Sequence, residues 1–282
     1  MQPGVRFDYT TVGHVTVDVM SDGSRRPGGS AFYSALQAAR LGKRTLILTR
    51  GAPGEVEELM EPYRSELQLE ILPAAQTTTL ATSGAGDKRT QRVLAWAGPM
   101  GGEVSVDTDI LHLAPVARET PPRWRGGARF VALTPQGLLR DWPEQSGEIF
   151  LTAPDQRLIP ASIQAMVLSE HESESCEKLI ADATRADATV AVTAGAGPTT
   201  VRLPGGRSLV VEVPRVEHPR EDIGAGDVFS AAFFVALTEG RTPQRAAEFA
   251  TAAAAVRIAG AGAGVEAIGD RTAIEARLAA VA

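Results

Sequence analysis

The sequence predicts an α/β fold in which a parallel sheet is covered by helices, and three observations carry that prediction. Short apolar runs rich in Val, Ile, Leu and Thr alternate with Ala- and Leu-rich segments of helical length. One stretch, residues 76–98, breaks the rhythm with two β-like arms around a glycine-rich turn. The composition is that of an ordinary folded chain: 282 residues, 44% hydrophobic and 22% charged, which excludes a disordered segment or a coiled coil. Aromatic residues are only 5%, so the core must be built mainly from Ala, Val, Leu and Ile.

The elements follow in order. Residues 9–20 form a strand-like run with Val15, Val17 and Val19 alternating. Gly28-Gly29 then leads into a helix over 30–41, with Ser30 able to cap its first turn and Gly42 to end its last. A short strand at 45–48, a helix over 54–63 and a strand at 68–72 complete the first βα rhythm. Next come the two arms, 77–80 and 89–95, around Gly84-Ala85-Gly86-Asp87. They are too small for a core of their own but able to lie over a site as a lid. Parallel-type strands return at 111–114, 130–134, 166–168 and 189–193, with a helix over 172–185 before the last. An edge hairpin is expected from 200–202 and 208–213 around Pro204-Gly205-Gly206, and helices over 225–237, 242–258 and 272–280 close the chain. No repeat and no long linker divides it, so residues 1–282 read as a single domain.

Several function classes are excluded at once. The net charge of −6 supplies no basic face for nucleic acid. Cys176 is the single cysteine, so neither an intrachain disulfide nor a Cys-rich zinc site is available. The N-terminus lacks a signal-peptide pattern and no long charge-free apolar stretch appears, so the expectation is a cytoplasmic protein without a membrane partner.

The sharpest local signal is Glu221-Asp222-Ile223-Gly224-Ala225-Gly226-Asp227 at the start of a helical run. Two glycines there let backbone N–H groups converge at the positive end of the helix dipole, which suits a phosphate. A carboxylate beside phosphate would repel the ligand unless it moves a proton, so Asp227 reads as a candidate general base. An ordinary glycine-rich helix start fits the same residues equally well. No Gly-Lys-Ser/Thr P-loop is present, and no Gly-x-Gly-x-x-Gly turn opens the first βα unit. Asp18, at the end of an apolar strand, belongs to the edge where open sheets bind ligands, although a solvent-facing strand end fits too. Gln136, Arg140 and Asp141 follow the strand at 130–134 and belong to the same edge. Arg140 there either neutralises an anionic group or pairs with Asp141.

At these residues the chain resembles the ribokinase-like (PfkB) carbohydrate and nucleoside kinases. The Gly-Gly pair followed by a small-residue helix ending Leu-Gly matches residues 28–42, and the Gly-Ala-Gly-Asp signature matches residues 221–229. The resemblance implies a three-layer α/β/α sandwich with a mostly parallel central sheet, and a small β lid made from about 18–27 and 76–98. It implies an ATP-dependent phosphotransferase acting on a hydroxyl of a small sugar or polyol, inositol-like among them. Asp227 would be the base and Gly224, Ala225 and Gly226 the anion hole. Asp18, Gly28, Gly29, Tyr33, Gln136 and Arg140 would meet the acceptor. Thr193, Gly195 and Gly226 would meet ATP, with residues 251–264 closing around adenine. Mg²⁺ would be served by Glu174, directly or through water, since His171-Glu172-Ser173-Glu174 is similar to the family's Asn-x-x-Glu.

Departures are equally plain. Glu221, Asp222 and Ile223 replace the usual Asp-Thr-Thr type of sequence, which leaves a monovalent cation site open to question, and Tyr33 stands where the family has Asn. A nucleoside kinase of the same family is the alternative, with Phe32, Tyr33 or Trp96 as an aromatic face for a base; a non-catalytic nucleotide-binding protein is a further one. The resemblance also allows a homodimer through the lid, resting on Leu80, Val93, Leu94 and Trp96, and a monomer fits the same pattern. The identity of the acceptor is not legible in the sequence.

Overall fold

The computed structural model describes residues 6–84, 89–101, 104–143, 147–260 and 265–280. In chain order the strands and helices begin with β1 (Phe7–Val12), β2 (Thr16–Val19), β3 (Arg25–Gly28), α1 (Ser30–Arg40), β4 (Thr45–Gly51), α2 (Pro53–Met60) and β5 (Gln68–Pro73). The arms are β6 (Thr79–Ser83) and β7 (Thr90–Ala95). There follow β8 (Ser105–Leu113), β9 (Arg125–Leu133), β10 (Arg140–Asp141), β11 (Gly147–Glu148), β12 (Phe150–Leu151) and β13 (Ala165–Ser169). The remainder is α3 (Glu170–Ser173), α4 (Glu177–Arg185), β14 (Thr189–Ala194), β15 (Gly197–Arg202), β16 (Ser208–Val211), α5 (Ala225–Thr238), α6 (Pro243–Ala259) and α7 (Arg271–Ala279).

Nine strands form the central sheet in the order β16-β15-β14-β13-β9-β8-β1-β4-β5. Every pair from β14 to β5 is parallel, and the hairpin β15–β16 adds the antiparallel edge expected from its Pro-Gly-Gly turn. One face is covered by α1, α2, α5, α6 and α7, whose Ala and Phe side chains pack on Tyr9, Ile47, Ile110 and Ala132. On the other face the regular helix is α4, packing Leu179, Ile180 and Ala183 against Met166, Leu168 and Val190. The result is the three-layer α/β/α arrangement. In the buried middle of the sheet, His112 lies between Tyr9 Oη at 2.9 Å and Thr134 Oγ1 at 3.1 Å. Burial lowers its pKa to about 3, so the ring stays neutral.

The run over 9–20, expected as one strand, is two strands in two sheets. It breaks at Gly13-His14-Val15, where the backbone passes so close to the neighbouring strand end that a Cβ on Gly13 would lie 2.2 Å from the Ala114 carbonyl oxygen. The crossing is pinned by Glu119, which is 1% exposed and accepts hydrogen bonds from the backbone N–H groups of His14 (2.9 Å), Val116 (2.7 Å) and Ala117 (2.6 Å). In Glu119→Gln an amide NH₂ must face one of those donors. We expect a loss of about 1–3 kcal/mol, the cost of a buried donor left unpaired, read as a lower midpoint in urea at unchanged slope.

Beyond the crossing, the arms and the segment after Gly13 form a separate five-stranded sheet in the order β11-β7-β6-β2-β3. Its participation of β11 was not legible, because Gly147-Glu148 carries no strand signal. Residues 85–87 of the arm turn lie outside the described residues. The helix expected over 172–185 starts earlier, at a capping box between Ser169 and Glu172, and is interrupted by a 3₁₀ turn at Glu174–Cys176.

Candidate active site

The small sheet stands over the ends of the central strands, and between them opens a cleft of about 410 Å³. Its floor is the start of α5. Gly224 caps that helix at φ 78°, ψ 0°, in the left-handed region that only glycine adopts freely. A Cβ there would also lie 2.4 Å from Cδ1 of Tyr33, so glycine is required twice. The hydroxyls of Ser230 and Ser34 donate to the carbonyls of Gly226 (2.7 Å) and Asp227 (3.2 Å), tying the first turn down. The Ala225 N–H donates to the Asp222 carbonyl at 3.0 Å, closing the turn, while the N–H groups just after it have no intrahelical acceptors, as at any helix start.

Asp227 lines the cleft from that turn. Its pKa is pushed up to about 7, first by burial and further by the charges of Glu172 and Asp18, against a hydrogen bond from Ser30 and the positive charge of Arg140. A carboxyl that titrates near neutrality is suited to accept a proton from an alcohol as the alcohol reacts. Ser30 Oγ also lies 3.3 Å from Gln136 Oε1, an alternative acceptor for its single proton, which joins the head of α1 to the turn after β9.

Asp18 faces the cleft from the small sheet rather than from the end of a central strand. That is a correction of register: the alternation of Val15, Val17 and Val19 continues past the crossing into β2. Asp18 is 4% exposed, accepts from Thr16 Oγ1 at 2.7 Å, and lies directly on Gly28, whose missing Cβ would meet its Oδ2 at 2.2 Å. Burial raises its pKa most, while Thr16, Arg26 and Arg140 pull it back down. Gly29, at φ 93°, brings backbone against the His14 carbonyl and turns the chain into α1. On the expectation that Asp18 meets an acceptor's hydroxyls, Asp18→Asn should raise the acceptor's KM and lower kcat together. Initial rates over an acceptor titration check this, and a kcat loss at unchanged KM would remove Asp18 from the acceptor site.

Arg140 is buried, not paired with Asp141. Its guanidinium donates to the Val116 carbonyl (3.1 Å) and to Gln91 Oε1 (2.9 Å), and Arg118 takes Asp141 instead at 3.2 Å. Gln136, Tyr33, Gln91 and Arg89 complete the polar walls. Two lid arginines reach the body: Arg26 pairs with Glu221 and Arg89 with Asp222. Two of the residues that depart from the signature, Glu221 and Asp222, thus hold the small sheet to the helix start.

Other expected site residues lie apart. Thr193 lies in β14 beside Ser169, its hydroxyl 3.5 Å from the Leu168 carbonyl, and Gly195 turns at φ 59° toward β15. Neither lines the cleft. Of the segment expected around adenine, residues 261–264 lie outside the described residues. Glu174 is exposed on the 3₁₀ turn, whereas Glu172, two residues earlier, is 8% exposed and acts electrostatically on both Arg140 and Asp227. Glu172, two residues before the Glu174 expected to serve Mg²⁺, is thus the carboxylate of this segment that acts on the cleft. The Ser-x-x-Glu spacing of the capping box, Ser169 to Glu172, is the signal that finds it.

Among the described residues no group of three or more His, Cys, Asp or Glu could hold a metal, and no helix is long and apolar enough to cross a membrane. A Mg²⁺ ion that keeps its waters and takes phosphate oxygens needs only one or two carboxylates. Glu172 stands outside the lining of the cleft, with Oε2 accepting from the N–H (2.8 Å) and hydroxyl (2.9 Å) of Ser169, which leaves Oε1 for a metal-bound water.

The sequence profile of the pfkB family carbohydrate kinases matches residues 156–268, the part that carries Glu172 and the Gly224–Asp227 turn. No curated protein matches the chain. By fold the chain matches solved ribokinase-type structures along nearly its whole length. A pyrophosphate-dependent kinase in the ribokinase family, complexed with a pyrophosphate analog and myo-inositol, is 20% identical, with 89% of this chain and 94% of that chain covered at a TM-score of 0.67. The ribokinase of Arabidopsis thaliana, complexed with ribose and ATP, is 17% identical over 97% and 99% of the two chains at a TM-score of 0.72. A nucleoside kinase of Methanocaldococcus jannaschii is 16% identical over 97% and 98%, at 0.69. Residues 156–268 therefore match the pfkB carbohydrate kinases in sequence, and the chain as a whole matches ribokinase-type structures in fold. Its three-layer sandwich is the ribokinase fold.

Proposed function

We propose that the protein is a phosphotransferase that moves a phosphoryl group onto a hydroxyl of a small, uncharged polyol or sugar. The observation that carries this reading is Asp227, with its pKa pushed up to about 7, in the first turn behind left-handed Gly224, lining one cleft with the buried carboxylate of Asp18. Asp18, Gln136 and the lid would bind and orient the acceptor. As the acceptor oxygen attacks the terminal phosphorus, its proton passes to Asp227, the bond from phosphorus to the donor's bridging oxygen breaks, and the shortened donor leaves. The N–H groups of Gly224, Ala225 and Gly226 would stabilise the charge on the transferring group. Mg²⁺, served by Glu172 rather than Glu174, would neutralise donor phosphate charge. The small sheet would act as a lid that excludes water, the competing acceptor.

A polyol is favoured over a nucleoside by the cleft's lining. Phe32 is wholly buried against Tyr33 and Tyr63. Trp96 stands edge-on to Trp142 with its indole N–H donating to the Ala117 carbonyl at 2.8 Å. Tyr33 alone of the three lines the cleft, with its ring spent on Gly224. No stacking face for a base is left among them. For the donor we propose ATP, with Thr193 and Gly195 on its nucleotide side. Pyrophosphate is the second reading, favoured by the fold relatives described as pyrophosphate-dependent. A screen of sugars, inositols and nucleosides against Mg·ATP and Mg·pyrophosphate, read as phosphomonoester formed, tests both. Phosphorylation of nucleosides alone would overturn the polyol reading.

A further inference from the structure

Arg257, on α6, is 0% exposed and heads the largest wholly buried side chains of the protein. Burying a guanidinium is costly unless its donors are used. Two of them are: one Nη donates to the Ile223 carbonyl at 2.8 Å, the other to the Glu221 carbonyl at 3.3 Å, and the Glu221 carboxylate lies 3.9 Å away. Those carbonyls belong to the three residues that lead into Gly224. In a trans peptide the C=O and the following N–H point in opposite directions. Holding the Ile223 oxygen on Arg257 therefore turns the Gly224 N–H to the side away from Arg257. Were that peptide to flip, an oxygen would replace a donor at the head of the turn.

We infer that Arg257 is a positioning residue for the anion hole: a built-in cation that fixes the 221–224 backbone so that its N–H groups receive a phosphate. This deepens the proposed function and rests on it. The charges facing Arg257 are Glu221, Arg26 and Asp222, with the buried Tyr33 hydroxyl beside them. Because Arg257 already sets a positive charge against the carbonyl oxygens of residues 221 and 223, an inorganic monovalent cation there would meet like charge, and turnover should not change when potassium is replaced by tetramethylammonium.

The test is calorimetric titration of the whole protein with inorganic pyrophosphate, independent of any acceptor. Arg257→Met, near in volume but neutral, should keep a cooperative melt and bind pyrophosphate at least about tenfold more weakly, the loss expected of a charge-assisted pair. Millimolar guanidinium ion should restore binding, and tetramethylammonium should not. Arg257→Lys, which keeps the charge and one donor, should recover most of it. A folded Arg257→Met that binds like wild type overturns the inference. If Arg257→Met does not fold, Arg257→Lys decides instead: with one donor in place of two it should melt cooperatively and bind pyrophosphate more weakly than wild type, with guanidinium ion giving no further rescue, and wild-type binding overturns the inference. Pyrophosphate binding without phosphoryl transfer to any acceptor would overturn the proposed function and leave this inference standing.

Discussion

Asp227→Asn abolishes phosphoryl transfer while the fold and donor binding persist: that is the expected result with the largest effect. The amide keeps the shape of the side chain and can still receive the Ser30 hydroxyl, but it cannot take the acceptor's proton. Such a base is worth ~10²–10⁴-fold in rate, so kcat should fall by about that factor. In wild type, kcat/KM should rise as pH passes through about 7, the pKa of Asp227 in the cleft, because the base works deprotonated.

Stability should move the opposite way. The folded-state pKa of Asp227 is raised above its unfolded value, so between pH about 4 and about 7 the folded chain holds a proton that the unfolded chain has lost. Stability is therefore surrendered as pH rises through that window. Asp227→Asn, which has no proton to lose, should melt several degrees higher than wild type at pH 8 and show a smaller difference at pH 4 (roughly 2–4 °C per kcal/mol for a chain of this size). Thermal scans at the two values check the sign. A variant less stable than wild type at pH 8 would mean that Asp227 is held as a charged group by its neighbours.

Gly224→Ala is the second large effect. The methyl group imposes two separate penalties: a left-handed backbone and a contact of 2.4 Å with the Tyr33 ring. The backbone penalty alone is about 1–3 kcal/mol, and the turn can relieve it only by moving its N–H groups off the phosphate. Loss of pyrophosphate binding together with a lower melting temperature is expected. Adding Tyr33→Ala removes the ring clash but not the φ penalty, so the double variant should regain part of the stability and little of the binding. Full recovery of binding would mean that the ring contact, not the backbone, sets the turn.

Much of this was legible in the sequence because local chemistry and fold agree. Gly224-Ala225-Gly226-Asp227 needs a helix behind it, and the apolar run from Val228 supplies one. Gly28 and Gly29 are demanded by the Asp18 carboxylate and the His14 carbonyl that press on them. What was not legible depended on distant partners. The alternation through Val15, Val17 and Val19 gives no sign that the chain changes sheets at Gly13, since the cause is a carbonyl and a carboxylate a hundred residues on. The hidden role of Arg257 is similar: an arginine in an Ala-rich helix looks solvated until the 221–223 carbonyls are placed against it. Glu172 and Glu174 differ by two residues in sequence and by a buried capping box in structure. Of the two roles open to Arg140, pairing with Asp141 goes instead to Arg118, whose guanidinium lies 4.3 Å from the Trp142 ring centre and 3.2 Å from Asp141.

Phosphorus NMR of wild type and Asp227→Asn, incubated with Mg·ATP or Mg·pyrophosphate and a panel of sugars and inositols, shows directly whether this cleft transfers phosphoryl groups to a polyol hydroxyl with Asp227 as base. A new phosphomonoester on at least one polyol is expected with wild type, and none above the uncatalysed level with Asp227→Asn. A phosphomonoester formed equally by both proteins, or donor hydrolysis with no acceptor phosphorylated, would contradict that assignment.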